Sequence, residues 1–174
     1  MNPPAQTMVN EALLQARANG YSFNEWTVAE IAGDLRAHDQ RVKGMTFTVL
    51  TPLIEAALNS LPITDAGIRA HVCRKLQTGA IPADLEPSGA PWQAMTGPIP
   101  TNFQHGRAAG KRESCAACDA VLETGTIVRP WGRPIHGAKG LIVFHHACEP
   151  LWEMELKAFR AQHNPMAEGA AESL

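Results

Sequence analysis

The chain has little net charge: 15 Lys and Arg stand against 17 Asp and Glu, for −2 at pH 7. That balance argues against a protein that coats nucleic acid through bulk charge. Lysine is scarce. There is no apolar run near the length that spans a bilayer, and no hydrophobic segment near Met1 of the kind a secretory signal carries. The expectation is a soluble, cytoplasmic chain without membrane contact, whose thiols stay reduced. Signatures of catalysis are missing as well. The sequence holds no His-Glu-x-x-His, no Gly-x4-Gly-Lys-Ser/Thr loop and no Gly-x-Ser-x-Gly elbow. The zinc deaminase pattern is absent too, since Ser114 rather than Pro precedes Cys115 and no His-x-Glu exists. The expectation is a protein that is not an enzyme. A hydrophobic content of 45% is nonetheless enough for a packed core.

What the chain does have is concentrated between Cys115 and Cys148. Cys115-Ala116-Ala117-Cys118 and His145-His146-Ala147-Cys148 form Cys-x2-Cys and His-x2-Cys pairs. Thiolate and imidazole are zinc's preferred donors, and a two-residue gap lets one turn of backbone offer two ligands to one ion. Cys115, Cys118, His145 and Cys148 are therefore the expected ligands of a structural Zn²⁺, with His146 as a neighbour able to substitute. Two metal-free cysteine pairs would leave the spacing unexplained. A redox Cys-x-x-Cys usually opens a helix after a strand, whereas Cys115 follows a Gly/Arg/Lys loop. His136 and His105 fall in loops and read as spectators. Cys73 stands alone on a helical stripe and reads as a small core residue.

Around these ligands the sequence predicts a knuckle, then strands over Thr126–Trp131 and Leu141–Phe144, then a helix from Cys148 to about His163. That order resembles a treble-clef finger. With Phe144-His145-His146-Ala147-Cys148 leading into an aromatic helix, it is similar to the modules of poly(ADP-ribose) polymerase-type fingers and to half of a LIM domain. The first resemblance implies that Arg129, Arg133 and Lys139 meet a DNA backbone. The second implies that the hairpin and the exposed edges of Trp131 meet a protein.

Upstream, Met8–Ala18 has a helical stripe closed by Asn19-Gly20. Thr27 and Glu30 form a capping box for a helix running to about His38, with Trp26 and Ile31 placed for a hydrophobic staple. Met45–Leu50 alternates apolar residues with Thr and reads as a short strand. Thr51-Pro52 then reads as the start of a helix, with Leu50, Leu53, Ile54, Ala57, Leu58 and Leu61 on a continuous apolar stripe and Pro62 as its stop. A fourth helix starts at Thr64, with Ile68, Val72 and Leu76 inside and Arg69, Arg74 and Lys75 outside.

This succession, ending Ile68-x3-Val72, Leu76, Gly79-Ala80-Ile81, resembles a winged helix-turn-helix domain. The resemblance implies that the helix from Thr64 to Thr78 enters a DNA groove with Arg69, Arg74 and Lys75 facing it. The expected wing, Ala83–Trp92, departs from that pattern by being Pro-rich and acidic. Residues 82–112 read as a Pro/Gly-rich linker in which Trp92 and Phe103 can dock on a neighbouring core. Charge follows the same division: net −2 over residues 1–104, +3 over 105–148 and −3 over 149–174.

The expected organisation is α+β: a winged-helix-like unit (1–81), the linker (82–112), a zinc module (113–164) and a tail (165–174). The expected partner is DNA, met by the helical unit and the basic zinc module. The alternative is an adapter or inhibitor that uses the same two units to bind a protein.

Overall fold

The structure, a computed structural model, describes residues 4–93, 114–122, 125–132 and 142–163. It is α+β. Four helices come first: α1 (Ala5–Ala18), α2 (Val28–His38), α3 (Phe47–Ser60) and α4 (Asp65–Gln77). A small antiparallel sheet follows, with strands β1 (Glu86–Pro87), β2 (Trp92–Gln93), β3 (Ile127–Gly132) and β4 (Ile142–His145). Helix α5 (Glu149–His163) closes the described fold.

Local chemistry sets most of the helix ends. Gly20 has φ +96°, and the amides of Gly20 and Tyr21 reach back to the carbonyls of Arg17 and Ala16, so two end carbonyls of α1 are satisfied. Thr27 caps α2, with both halves of its capping box formed with Glu30. Thr64 caps α4 by accepting from the amide of Gly67, and Gly79 at φ +71° ends that helix.

The expected strand over Met45–Leu50 is not formed. Thr46 is the N-cap of α3 and the helix begins at Phe47. The Thr alternation is short, while Leu50, Ile54 and Ala57 stand at helical spacing and are all completely buried. A strand there would put Leu50 out of phase with that stripe, and among the described residues none pairs with it. Pro52 therefore lies inside the helix instead of at its first position, and one backbone hydrogen bond of the second turn is lost.

The stretch Phe47–Gln77 is long and apolar enough by composition to cross a membrane. It is broken at Leu61–Thr64 into helices of 14 and 13 residues. Each rises about 20 Å, short of the roughly 30 Å hydrocarbon core. Their inner stripes also face two different cores.

The first core is built by α1 and α2 packed on α3. It contains Val9, Leu13, Phe23, Ile31, Leu35, Val42, Leu50, Ile54 and Ile63. The second holds Ile68, Val72 and Leu76 of α4 against Trp152 and Leu156 of α5, together with Ile81, Leu85, Trp131 and Phe144. A boundary after residue 81 thus does not separate the cores, because α4 belongs to the second. Leu14 of α1 packs against both.

Residues 82–93 do not behave as a linker. Glu86 and Pro87 pair with Gly132 and Trp131, and Trp92 and Gln93 pair with Val128 and Ile127. Trp131 and Val128 also pair with β4, so β1 and β2 share the other edge of β3. They are two pieces of one edge strand whose register slips by two residues at the Ser88–Pro91 bulge. Pro87 and Pro91 are tolerated because an outer edge needs no amide donors. Arg160 fastens the approach to this strand by donating to the carbonyls of Ala83 and Leu85. The expected wing is therefore not made, since both of its pieces pair with β3 instead of with each other, and the winged-helix resemblance finds no support. The rest of the linker, with Phe103 and His105, lies outside the described residues, as does the 165–174 tail.

Candidate metal centre

Three local structures bring the ligands together. Ser114 and Val121 form an antiparallel bridge, and between them the chain turns tightly. The amide of Cys115 donates to the Ala120 carbonyl, and the amide of Asp119 to the Cys115 carbonyl, each at 2.8 Å. Asp119 has φ 60°, a left-handed conformation that Asp adopts more readily than most residues. The turn is pinned to the sheet by the Ala116 amide, which donates to the Val143 carbonyl at 3.0 Å. Strand β4 then delivers His145, and a short turn delivers Cys148 at the mouth of α5.

Cys115, Cys118, His145 and Cys148 are each completely buried. One ligand atom from each lies within 4.8 Å of all the others. Sulfur ligands about 2.3 Å from a tetrahedral ion stand just under 4 Å apart, so the cluster has the dimensions of one four-coordinate site. His145 turns Nδ1 to the cluster, 3.3 Å from Cys118 Sγ. Its Nε2 is buried with no partner among the described residues. His145 is thus the imidazole placed to serve as a ligand; His146 is 57% exposed in its side chain and leans on Glu149 instead. Three sulfurs and one imidazole nitrogen are a donor set that suits zinc.

The thiols are unequal. Burial pushes the Cys115 thiol up, but hydrogen bonds from Cys118, Cys148 and His145 outweigh it and hold Cys115 well below its ordinary range. The Cys115 sulfur in turn pushes Cys118 up, and Cys115 and Cys118 together push Cys148 up. The cluster thus favours negative charge on Cys115 and disfavours it on Cys118 and Cys148. Binding an ion must therefore displace protons from the raised thiols, and affinity should fall as pH is lowered. Calorimetry of metal binding in buffers of different ionisation enthalpy counts those protons; a count of zero contradicts the arrangement.

Behind the ligands lies an aromatic triad. Phe144 stacks on Trp152 with ring centres 4.8 Å apart, and Trp131 meets Trp152 edge-on at 5.7 Å. The expectation that Trp131 offers exposed edges to a partner is corrected here: it is 4% exposed, and its indole N–H donates to Glu149 Oε1 at 3.1 Å. Glu149 is itself buried and also faces Arg129 at 3.3 Å.

The cations expected to meet DNA are placed as follows. Arg69 pairs with Glu155 of α5 at 2.6 Å. Lys75 reaches across to Asp119 and to the Ala116 carbonyl. Arg129 is held by Glu149. Arg74 is exposed. Arg133 and Lys139, with His136, lie outside the described residues. Cys73 is half-buried and not a full core residue.

Sequence reasoning missed two groups. His71 bonds to Asp119 at 2.6 Å. Arg17 is 3% exposed, stands 2.9 Å from Asp65 and donates at 3.4 Å to the carbonyls of Tyr21 and Ala147. Arg17 and Asp65 are close without an aligned hydrogen bond, so the contact is an ion pair. A lone Arg on the inner side of an apolar helix was the one available signal of a buried partner.

No protein-family model, curated protein or solved structure matches this chain.

Proposed function

We propose that this is a non-enzymatic, cytoplasmic zinc protein whose metal is structural and whose folded surface binds another protein. The complete burial of all four ligands carries the reading, because a catalytic zinc keeps one position open to water or substrate. A cleft of about 340 Å³ between the end of α1 and Gly125–Ile127 offers one imidazole, that of His146, and no carboxylate or thiol to work with it. The treble-clef resemblance is retained at the level of knuckle, hairpin and helix.

The choice of a protein partner over DNA rests on the cations. Arg69, Lys75 and Arg129 are engaged inside the fold, so a phosphate contact would have to break an existing ion pair for each. Exposed Tyr21, Trp26, Phe47 and Trp92 are anchors of the kind protein interfaces favour. Two measurements test the proposal. Elemental analysis of the purified chain should give one zinc per chain. Anisotropy titrations with broken, intact and single-stranded DNA should give no salt-steep binding, and Arg74→Ala should change nothing. A steep loss of DNA affinity with salt would favour the DNA reading instead.

A further inference from the structure

Helix α4 lies far upstream of the first ligand, yet it packs on the metal knuckle. Its stripe of Ile68, Val72 and Leu76 is buried with Cys115, Cys118 and Cys148. Its polar flank makes three bonds to the same turn. Lys75 Nζ donates to the Ala116 carbonyl at 2.8 Å and to Asp119 Oδ1 at 2.5 Å, and His71 Nε2 meets Asp119 Oδ2 at 2.6 Å. Ala116 and Asp119 flank Cys118 on either side. The tight turn, with Asp119 left-handed, presents both acceptors to one ammonium, and two sulfurs bound to one ion would hold the turn in that form.

The other core tells the complementary story. The cluster formed by α1, α2 and α3 contains no residue of the knuckle, the sheet or α5. It can keep its contacts when the knuckle opens.

We infer that metal occupancy decides whether α4 is docked: with zinc, α4 is part of the metal-bearing core; without it, α4 comes away while α1–α3 stay folded. The inference rests on the zinc reading above and deepens it. The chain's cooperative boundary then falls at Pro62–Thr64, and metal loss uncovers the apolar stripe of α4. Arg17 of α1, paired with Asp65 at the start of α4, ties the released helix to the core that stays folded.

Amide hydrogen exchange on the full chain tests this, with zinc content and free thiols counted on the same samples. After chelation, protection in α4 and α5 should drop together by about a hundredfold or more, while the interior of α2 and α3 changes by less than about threefold. Re-adding zinc should restore both. Lys75→Met should leave zinc content unchanged and speed exchange in α4 by about tenfold in the loaded protein. If α4 stays protected after α5 has lost protection, or if α2 and α3 open in step with it, the inference is wrong while the zinc reading stands. A chain that holds no metal at all overturns both.

Discussion

Cys118→Ser, or exhaustive chelation of the parent chain, should abolish tight zinc binding and melt the sheet and α5. The reasoning is energetic. Structural zinc sites contribute about 10–16 kcal/mol of apparent binding free energy in small modules, against the roughly 5–15 kcal/mol that stabilises an entire domain. Serine is a poor ligand at neutral pH and would leave three donors around the ion. The damage is compounded by what the turn holds up. Cys115, Cys118 and Cys148 are themselves part of the second core, and the knuckle carries the acceptors for Lys75 and His71. The observable is the near-UV circular dichroism of Trp131 and Trp152, whose rings are fixed against each other. It should collapse in the variant while much of the far-UV helical signal persists. An unchanged near-UV band after the metal has been removed would sink the structural role.

The second large effect is expected at Trp152. It is fully buried, sits in the first turn of α5, and makes the two closest ring contacts of the aromatic triad. Trp152→Ala removes the centre of the second core and should cost about 3–5 kcal/mol, the usual range for a large aromatic emptied to a cavity. Trp152→Phe should cost far less. It keeps the stack on Phe144, and the indole N–H it deletes has no partner among the described residues, so no hydrogen bond is lost with it. Urea denaturation of the zinc-loaded proteins, followed by far-UV signal, separates the two. Equal losses for Ala and Phe would mean that the stack is not what holds this core.

The candidate site was the most legible part of the sequence, because a ligand set is a local pattern. Two residues between donors, a hairpin and a helix start are short-range features, and each one forms. The capping box at Thr27 and the glycine ends at Gly20 and Gly79 were legible for the same reason. Leu50 shows where local reading stops: alternation with Thr over a few residues suggests a strand, but the helical phase of Ile54 and Ala57 decides. The edge strand was hidden because three Pro and a Gly interrupt residues 82–91, and its partner lies some forty positions further on. The partners of α4 were hidden for a related reason. Its charges look like a solvated face until α5 and the knuckle arrive to meet them. Nothing near Arg17 in sequence announces Asp65 or Ala147.

The pairing of the edge strand with β3 has a consequence for the chain's covalent continuity. Gln93 is tied to Ile127 and Ser114 to Val121, so the polypeptide is anchored on both sides of residues 94–113. A single cut in that interval would yield one piece carrying α1 to β2 and another carrying every zinc ligand. The α4–α5 packing, the β1 and β2 ladders and the Arg160 bonds all run between those pieces. Two separately made halves should therefore reassociate, with zinc bound to the C-terminal half favouring the union; size-exclusion co-elution of the mixed halves with and without zinc checks this.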